Sequence, residues 1–135
     1  IHVAFGTDGA LSNNNLDMQE EMKVASLISK TNTTEAPLSS KEILTLATES
    51  GAKAYGLQAG KIKVGYLADC ILLNMNNERM VPCHDITNNW IYSANSSAID
   101  SVLCNGKFVM RSRHIDGEED IVREANACVK DILSR

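Results

Sequence analysis

A single strand-like run at the start of the chain constrains its fold more than any other feature. Residues Ile1–Phe5 read Ile-His-Val-Ala-Phe, an apolar stretch compatible with a buried strand, which enters Gly6-Thr7-Asp8-Gly9 and an asparagine-rich loop before a helical pattern begins. A strand that feeds a helix in this way belongs to a parallel sheet, and a parallel sheet needs neighbours of its own kind and cover on both faces. None follows. The order legible in the rest of the chain is helix, helix, small β unit, helix. The chain also opens at Ile1 with no initiator methionine and no charged start ahead of an apolar run, so it does not read as a signal peptide. The expectation is an α/β architecture of which this chain forms one part.

From Leu16 the apolar period becomes helical, with Met18, Met22, Ala25 and Ser29 on one face. Asp17, Glu20 and Glu21 occupy the first turns, where the helix dipole favours negative charge, and Asn15 is the expected N-cap. Ser39 and Glu42 have the spacing of a capping box, with Leu38 placed to staple onto Ile43. That helix is expected to run through Leu44 and Ala47 and to end near Gly51 or Gly56. Beyond Lys61, Gly65 marks a turn and Cys70–Leu73 reads as an interior strand. A short helix is expected around Ile86–Tyr92, then a turn at Ala94-Asn95-Ser96. Ile99–Met110 reads as a hairpin turning at Asn105-Gly106, a pair suited to consecutive positive φ angles. A final amphipathic helix from near Gly117 carries Ile121, Val122, Ala125, Val129 and Ile132.

Several function classes fall away on composition. An apolar content of 44% is enough for a core, while a net charge of −4 without any basic patch argues against nucleic acid. No 18-residue apolar run suggests a membrane span. Cys70, Cys83, Cys104 and Cys128 lack Cys-x-x-Cys spacing, and three lie in apolar surroundings, so they read as small buried hydrophobes in a reducing, cytoplasmic setting rather than as a zinc finger. Asn32-Thr33-Thr34 and Asn95-Ser96-Ser97 match the glycosylation acceptor triplet, but no secretion signal supports either.

Few residues could carry chemistry. His2, His84 and His114 have no metal-ligand spacing among themselves, and Ser12 has no adjacent base. A phosphate loop is excluded because no Gly-Lys-Ser/Thr follows the glycines. Asn13, Asn14 and Asn15 suit loop and capping roles or hydrogen bonds to a substrate. Asp8 stays open between two readings. It could cap a strand-to-helix turn, or be an acid at the carboxyl end of a strand, the place where chemistry sits in a β/α barrel.

The motifs carry a resemblance. "GTDGALSNNNLDMQEEMKVASLISK" closely resembles the eighth strand, loop and helix of the amidohydrolase superfamily, nearest to the group holding methylthioadenosine/S-adenosylhomocysteine deaminases and triazine hydrolases. "SSKEILTLATESGAKAYGL" is similar to the helix that follows. Gly60-Lys-Ile-Lys-Val-Gly65-Tyr-Leu-Ala68-Asp69-Cys-Ile-Leu-Leu73 fits the family's GxIxxGxxADxxLL stretch. "HDITNNWIYSANSSAIDSVLCNGKFVM" resembles its Tyr-Ser-Ala-Asn and Asn-Gly-Lys elements. The likeness covers essentially the whole chain. Departures are Ser96 where the group usually has glycine, Cys70 in place of a larger aliphatic, and Asn74 where aspartate is common.

The resemblance implies the last strand and helices of a metal-dependent (β/α)8 barrel, followed by the carboxyl-terminal part of a small β-sandwich. Residues 1–58 would close the barrel, 59–115 would form the sandwich portion and 116–135 the terminal helix. Asp8 would be the strand-eight aspartate, which binds the divalent metal, zinc, and accepts a proton from the water activated there. Water would add to the amidine-like carbon of an aminopurine in a methylthioadenosine- or S-adenosylhomocysteine-type nucleoside, and ammonia would leave. Thr7, Ser12 and Asn13 would shape the pocket, with Ser12 and Asn13 meeting the small-molecule substrate. The other metal ligands would lie outside this chain, which alone would be inactive. It would act as a homo-oligomer or by association with the remainder of the barrel. The alternatives are guanine deamination or triazine hydrolysis on the same fold, or a non-catalytic sandwich-like module.

Overall fold

The computed structural model describes residues 1–31 and 36–135, so the Asn32-Thr33-Thr34 triplet lies outside the described residues. Its core is helical. Helix α1 (Met18–Ser29), α2 (Ser40–Ala47), α3 (Glu49–Ala54) and α4 (Ile86–Tyr92) are followed by the small sheet's later strands, and α1, α2 and α4 pack on one another. Met22, Ile43, Met80, Trp90, Ile91, Ala94 and Ala98 form the buried cluster, with Phe5, Leu38 and Leu73 packed at its edge. Leu38 thus reaches the cluster that holds Ile43, as the staple requires.

The first helix is capped two residues later than expected. Asp17, not Asn15, is the N-cap, its side chain accepting from the backbone of Gln19 and Glu20. Asn15 instead binds the Glu20 carboxylate. The buried face is also rotated from the apolar stripe: Gln19, Met22 and Ser26 are inside. The second helix has its capping box in full, Ser39 accepting from Glu42 N–H and the Glu42 carboxylate accepting from Ser39 N–H. It breaks at Thr48, where φ is −123° and ψ −81°, and resumes as α3, ending before Gly56.

Strands β1 (Cys70–Leu73), β2 (Ile99–Cys104) and β3 (Lys107–Met110) form an antiparallel sheet in the order β1-β2-β3. Cys70 pairs with Leu103 and Leu103 with Phe108. The hairpin turns at Asn105 and Gly106, with φ of 48° and 75°, as the Asn-Gly pair requires. Its tip is tied to the Ala68-Asp69 dipeptide: Gly106 N–H donates to Ala68 O at 2.9 Å and Asn105 N–H to the Asp69 carboxylate at 2.6 Å. The expectation of an interior strand at Cys70–Leu73 is corrected. β1 is an edge of the described sheet, and Ile71 and Leu72 are exposed.

Two further expectations change. Ile1–Phe5 forms no strand; Ile1 and Val3 are exposed, and the segment meets the helices through Phe5 N–H to Leu46 O at 3.2 Å and His2 Nε2 to Ser50 O at 3.0 Å. An extended segment without a partner strand has no ladder to join. The cysteines are free, but Cys83, Cys104 and Cys128 are exposed and Cys70 half-buried, so they are not the buried hydrophobes that their apolar neighbours suggested. Helix α5 (Glu118–Leu133) forms with acids in its first turn, yet buries no residue: Ile121, Val129 and Ile132 face solvent. No helix among the described residues is long and apolar enough to cross a membrane.

Candidate functional site

Asp8 stands where the extended amino-terminal segment turns into the loop before α1. Its backbone is left-handed, with φ of 59°, and this conformation falls on the acid rather than on Gly6 or Gly9 beside it. Aspartate is among the few side chains that visit this region, at a cost of roughly 1–2 kcal/mol. Such outliers persist where the surroundings over-determine them, and they concentrate at functional sites. The Asp8 side chain is exposed, and its Oδ1 accepts from Gly9 N–H at 2.6 Å. Among the described residues no donor reaches its second oxygen.

The loop folds back over this acid. Ser12 and Asn13 both donate their backbone N–H to Gly9 O, at 3.0 and 2.9 Å. Asn13 is half-buried, and its Nδ2 donates to Thr7 O at 3.1 Å and to Glu21 Oε1 on α1 at 3.0 Å. Asn13 Oδ1 accepts from Asn15 N–H at 3.3 Å. Two acceptors facing one end of the amide fix its orientation, since only the NH2 group can serve both. Ser12 is exposed, and its hydroxyl enters none of these bonds among the described residues. Thr7 Oγ1 donates to Asp8 O at 3.2 Å. The structure therefore gathers Thr7, Asp8, Ser12 and Asn13 in one loop closed on α1.

The other candidates lie apart from it. His2 Nε2 meets Ser50 O at 3.0 Å and borders a separate cleft of about 550 Å³ that also takes in Thr45, Glu49 and Tyr66. His84 is exposed, and His114 faces Asp116 at 3.4 Å on the surface. A larger cleft, about 950 Å³, lies between the helices and the sheet; Met18, Met22, Leu44, Trp90 and Leu103 line it and Asp8 does not. Its lining is mainly apolar, with Asp17, Lys61 and Asp69 also among its residues, and we assign it no chemistry. Asn95 of the second glycosylation triplet is occupied, its side chain accepting from Ser97 N–H at 3.0 Å.

Two groups that sequence reasoning passed over join the motif blocks. Gln19, 6% exposed, donates through Nε2 to the carbonyl oxygens of Trp90, Ile91 and Ala94 at 3.0, 3.2 and 2.9 Å. Fully buried Ser26 hydrogen-bonds the Tyr92 hydroxyl. The Lys30 ammonium lies 4.1 Å from the centre of the Tyr92 ring, and the Lys30 and Ser26 contacts hold the phenol below its ordinary pKa. The only available signal was a polar residue at i, i+3, i+7 spacing with Met22 and Ser26.

A fit to a divalent metal can be judged from the donors present. The Asp8 carboxylate offers one hard oxygen, exposed and with one lone-pair face free of donors, which suits a single ligand position on zinc. Among the described residues no group of three histidines, cysteines or acids could hold a metal by itself. Asp8 therefore fits as one member of a ligand set.

The chain is similar to known proteins along nearly its full length. The model of the Amidohydrolase family matches residues 1–109. A 5'-deoxyadenosine deaminase of Methanospirillum hungatei is 43% identical over all of this chain and 30% of its own length. A 5-methylthioadenosine/S-adenosylhomocysteine deaminase of Clostridium tetani is 44% identical over 99% of this chain and 32% of its own. Among solved structures, an adenosine deaminase from Xanthomonas campestris with bound zinc superposes with a TM-score of 0.84 at 31% identity, covering 94% of this chain and 30% of that one. Atrazine chlorohydrolase from Arthrobacter aurescens, complexed with zinc, gives 0.83 at 27% identity over 94% of this chain and 29% of that one. The chain thus spans about 30% of the length of the relatives it matches.

Proposed function

The chain belongs to the amidohydrolase family, and from that premise we propose that it is part of a zinc-dependent aminohydrolase that deaminates an adenosine-type nucleoside. The single observation that carries the reading is Asp8: an exposed carboxylate in a left-handed backbone, inside a segment shared with relatives named as deaminases. A chain without chemistry has little reason to keep an unpaired acid in that conformation. Residues 1–58 then belong with the barrel, 59–115 with the sandwich and 116–135 with the terminal helix. The remaining metal ligands come from outside this chain, and the isolated chain is inactive.

A bound divalent metal would supply Lewis-acid activation, bringing the acidity of water into the neutral range. The Asp8 oxygen that no donor among the described residues reaches would be the ligand atom. The same carboxylate is the base that takes up the proton released as water adds to the ring carbon. Overall, water replaces the exocyclic amino group with an oxygen and ammonia departs. The Asp8 backbone places the carboxylate, and the bond from Gly9 N–H to Oδ1 fixes its rotation. Ser12 is exposed, which supports a role in meeting the nucleoside. The exposed faces of Ile1–Phe5, β1 and α5 favour association with further barrel elements or a second copy.

The test follows ammonia release and zinc content in a protein of the relatives' full length that contains this chain. We expect 5'-deoxyadenosine, methylthioadenosine or S-adenosylhomocysteine to be deaminated faster than guanine. Asp8→Ala should lower turnover at least about 10³-fold, the upper part of the range for a positioned base, and should reduce bound zinc. Preference for guanine or a chlorinated triazine would move the activity to the second reading, which the superposition on atrazine chlorohydrolase keeps in view. Full turnover in Asp8→Ala would refute the role of the acid, and no turnover by the parent protein would favour the non-catalytic module.

A further inference from the structure

We infer that Asn13 is a positioning residue for Asp8, anchored by Glu21, and not a contact to substrate; this rests on the reading of Asp8 as ligand and base. Both hydrogens of the Asn13 amide are already engaged, one on Thr7 O and one on Glu21 Oε1, leaving no donor to offer a nucleoside. Thr7 O belongs to the peptide that leads into Asp8. On the other side of Asp8, Gly9 O is held by the N–H groups of Ser12 and Asn13. The acid's left-handed backbone is thereby gripped on both flanks, and each grip passes through residue 13.

The anchor sits on a packed helix. Glu21 is half-buried on α1, between Gln19, which is bonded to the end of α4, and Met22 in the core. A loop residue that bridges a peptide carbonyl to a fixed helix carboxylate transmits the position of that helix to the acid. Supporting hydrogen bonds of this kind orient metal ligands, and their loss typically costs 10- to 100-fold in metal affinity or activity. Displacement of a reacting group by about 1 Å can cost a similar factor in rate.

The experiment compares Asn13→Ala, Glu21→Ala, Glu21→Gln and the Asn13→Ala/Glu21→Ala double variant of the full-length protein, each first shown to be folded by circular dichroism at the assay temperature. Expected are a fall in kcat of about 10- to 100-fold for Asn13→Ala and Glu21→Ala, with KM nearly unchanged for each nucleoside tested. Zinc affinity, read by competition with a chromophoric chelator, should fall in parallel. The double variant should be no worse than either single one, and Glu21→Gln, which keeps an acceptor oxygen, should recover most of both losses. A rise in KM that differs among nucleosides, with kcat and zinc affinity intact, would overturn the inference and restore Asn13 as a substrate contact; so would parental values in every variant. Asp8→Ala run alongside separates the two claims. If it too is fully active and zinc-loaded, the reading of Asp8 has failed. If it alone is dead, only the positioning role has.

Discussion

Gln19 offers the sharpest test of how the two halves of the described core are joined. It is buried, and its amide serves Trp90 O and Ile91 O in the last turn of α4, groups that a helix leaves without intrahelical partners, and Ala94 O just beyond it. Two hydrogens cannot fully satisfy three acceptors, so two bonds form at a time and the third is shared. Gln19→Met keeps most of the volume and removes the donors. Two bonds at about 1 kcal/mol net each, with the further cost of about 1–3 kcal/mol for an unsatisfied buried acceptor, place the loss at about 2–4 kcal/mol after partial rescue by water. Native-state hydrogen exchange of the α4 amides in the full-length protein reads this locally. Where opening of α4 depends on this contact, the protection of residues 89–94 should fall by roughly 30- to 900-fold, at 1.36 kcal/mol per factor of ten. Unchanged protection would show that the carbonyls find equivalent partners elsewhere and would refute the argument.

A second substitution at the same position checks the sign. Gln19→Glu places a carboxylate against three carbonyl oxygens, so the charged form is disfavoured in the folded state and the introduced group's folded pKa rises above the unfolded value. Whatever stability its protonated form keeps is fully present below the unfolded carboxyl pKa and is lost as pH rises through the folded one. At neutral pH Gln19→Glu should therefore be less stable than Gln19→Met, with the gap closing towards acid. Equal stability of the two at neutral pH would contradict the geometry.

Gly60→Ala should cost about 2–5 kcal/mol, because φ is +83° and the new Cβ would lie 2.8 Å from the Glu49 backbone. Chemical denaturation checks it against Gly56→Ala, where φ is +68° but nothing lies within 4 Å and the loss should be smaller. Ser39, through its side chain and backbone, holds the Glu42 carboxyl below its ordinary pKa. The capping box is therefore complete above the unfolded carboxyl pKa and weakens as pH falls through the lowered folded one. Circular dichroism with amide exchange should show α2 loosening over that acid range in the parent and not in Glu42→Gln, whose capping is independent of pH.

Local order was legible wherever one short-range rule decides the outcome. The capping box at Ser39 and Glu42, the Asn105-Gly106 turn and the start of α5 after Gly117 each depend on a few neighbouring residues, and each is present. Expectations failed where the answer depends on distant partners. Ile1–Phe5 has strand composition but no strand beside it among the described residues; Cys83, Cys104 and Cys128 are exposed, because sequence neighbours alone do not decide burial. The face of α1 was misjudged for the opposite reason. Gln19 and Ser26 are buried because α4 supplies acceptors and a phenol from some 70 residues away, and hydrophobic periodicity cannot register a polar side chain whose partner is that remote. At the candidate site, Asp8 was visible as an acid in a suspicious place. Its left-handed backbone and the double engagement of Asn13 were not, because both belong to a loop whose closure is set by Glu21.

That division explains what the motifs themselves do. The Gly-Thr-Asp-Gly…Asn-Asn block and the Tyr-Ser-Ala-Asn block are far apart in sequence, and α1 joins them: Glu21 holds the first through Asn13, while Gln19 and Ser26 hold the second through Ala94 and Tyr92. The Ala68-Asp69 pair likewise serves the hairpin tip. Most of the residues that make the chain recognisable are therefore structural ties, and a tie is as demanding of residue identity as catalysis is, since each donor must meet a particular acceptor at close to 3 Å. Asp8 differs from them in one physical respect. Its carboxylate keeps an oxygen that no donor among the described residues reaches, at an exposed position, in a backbone conformation held from both sides. A side chain whose only task was to cap its own turn would be satisfied by the single bond to Gly9, and asparagine would adopt the same conformation without a charge. Asp8→Asn therefore separates the two roles: the loop should keep its stability, while zinc binding and turnover in the full-length protein should fall, and a variant that kept both would leave Asp8 as a turn residue and nothing more.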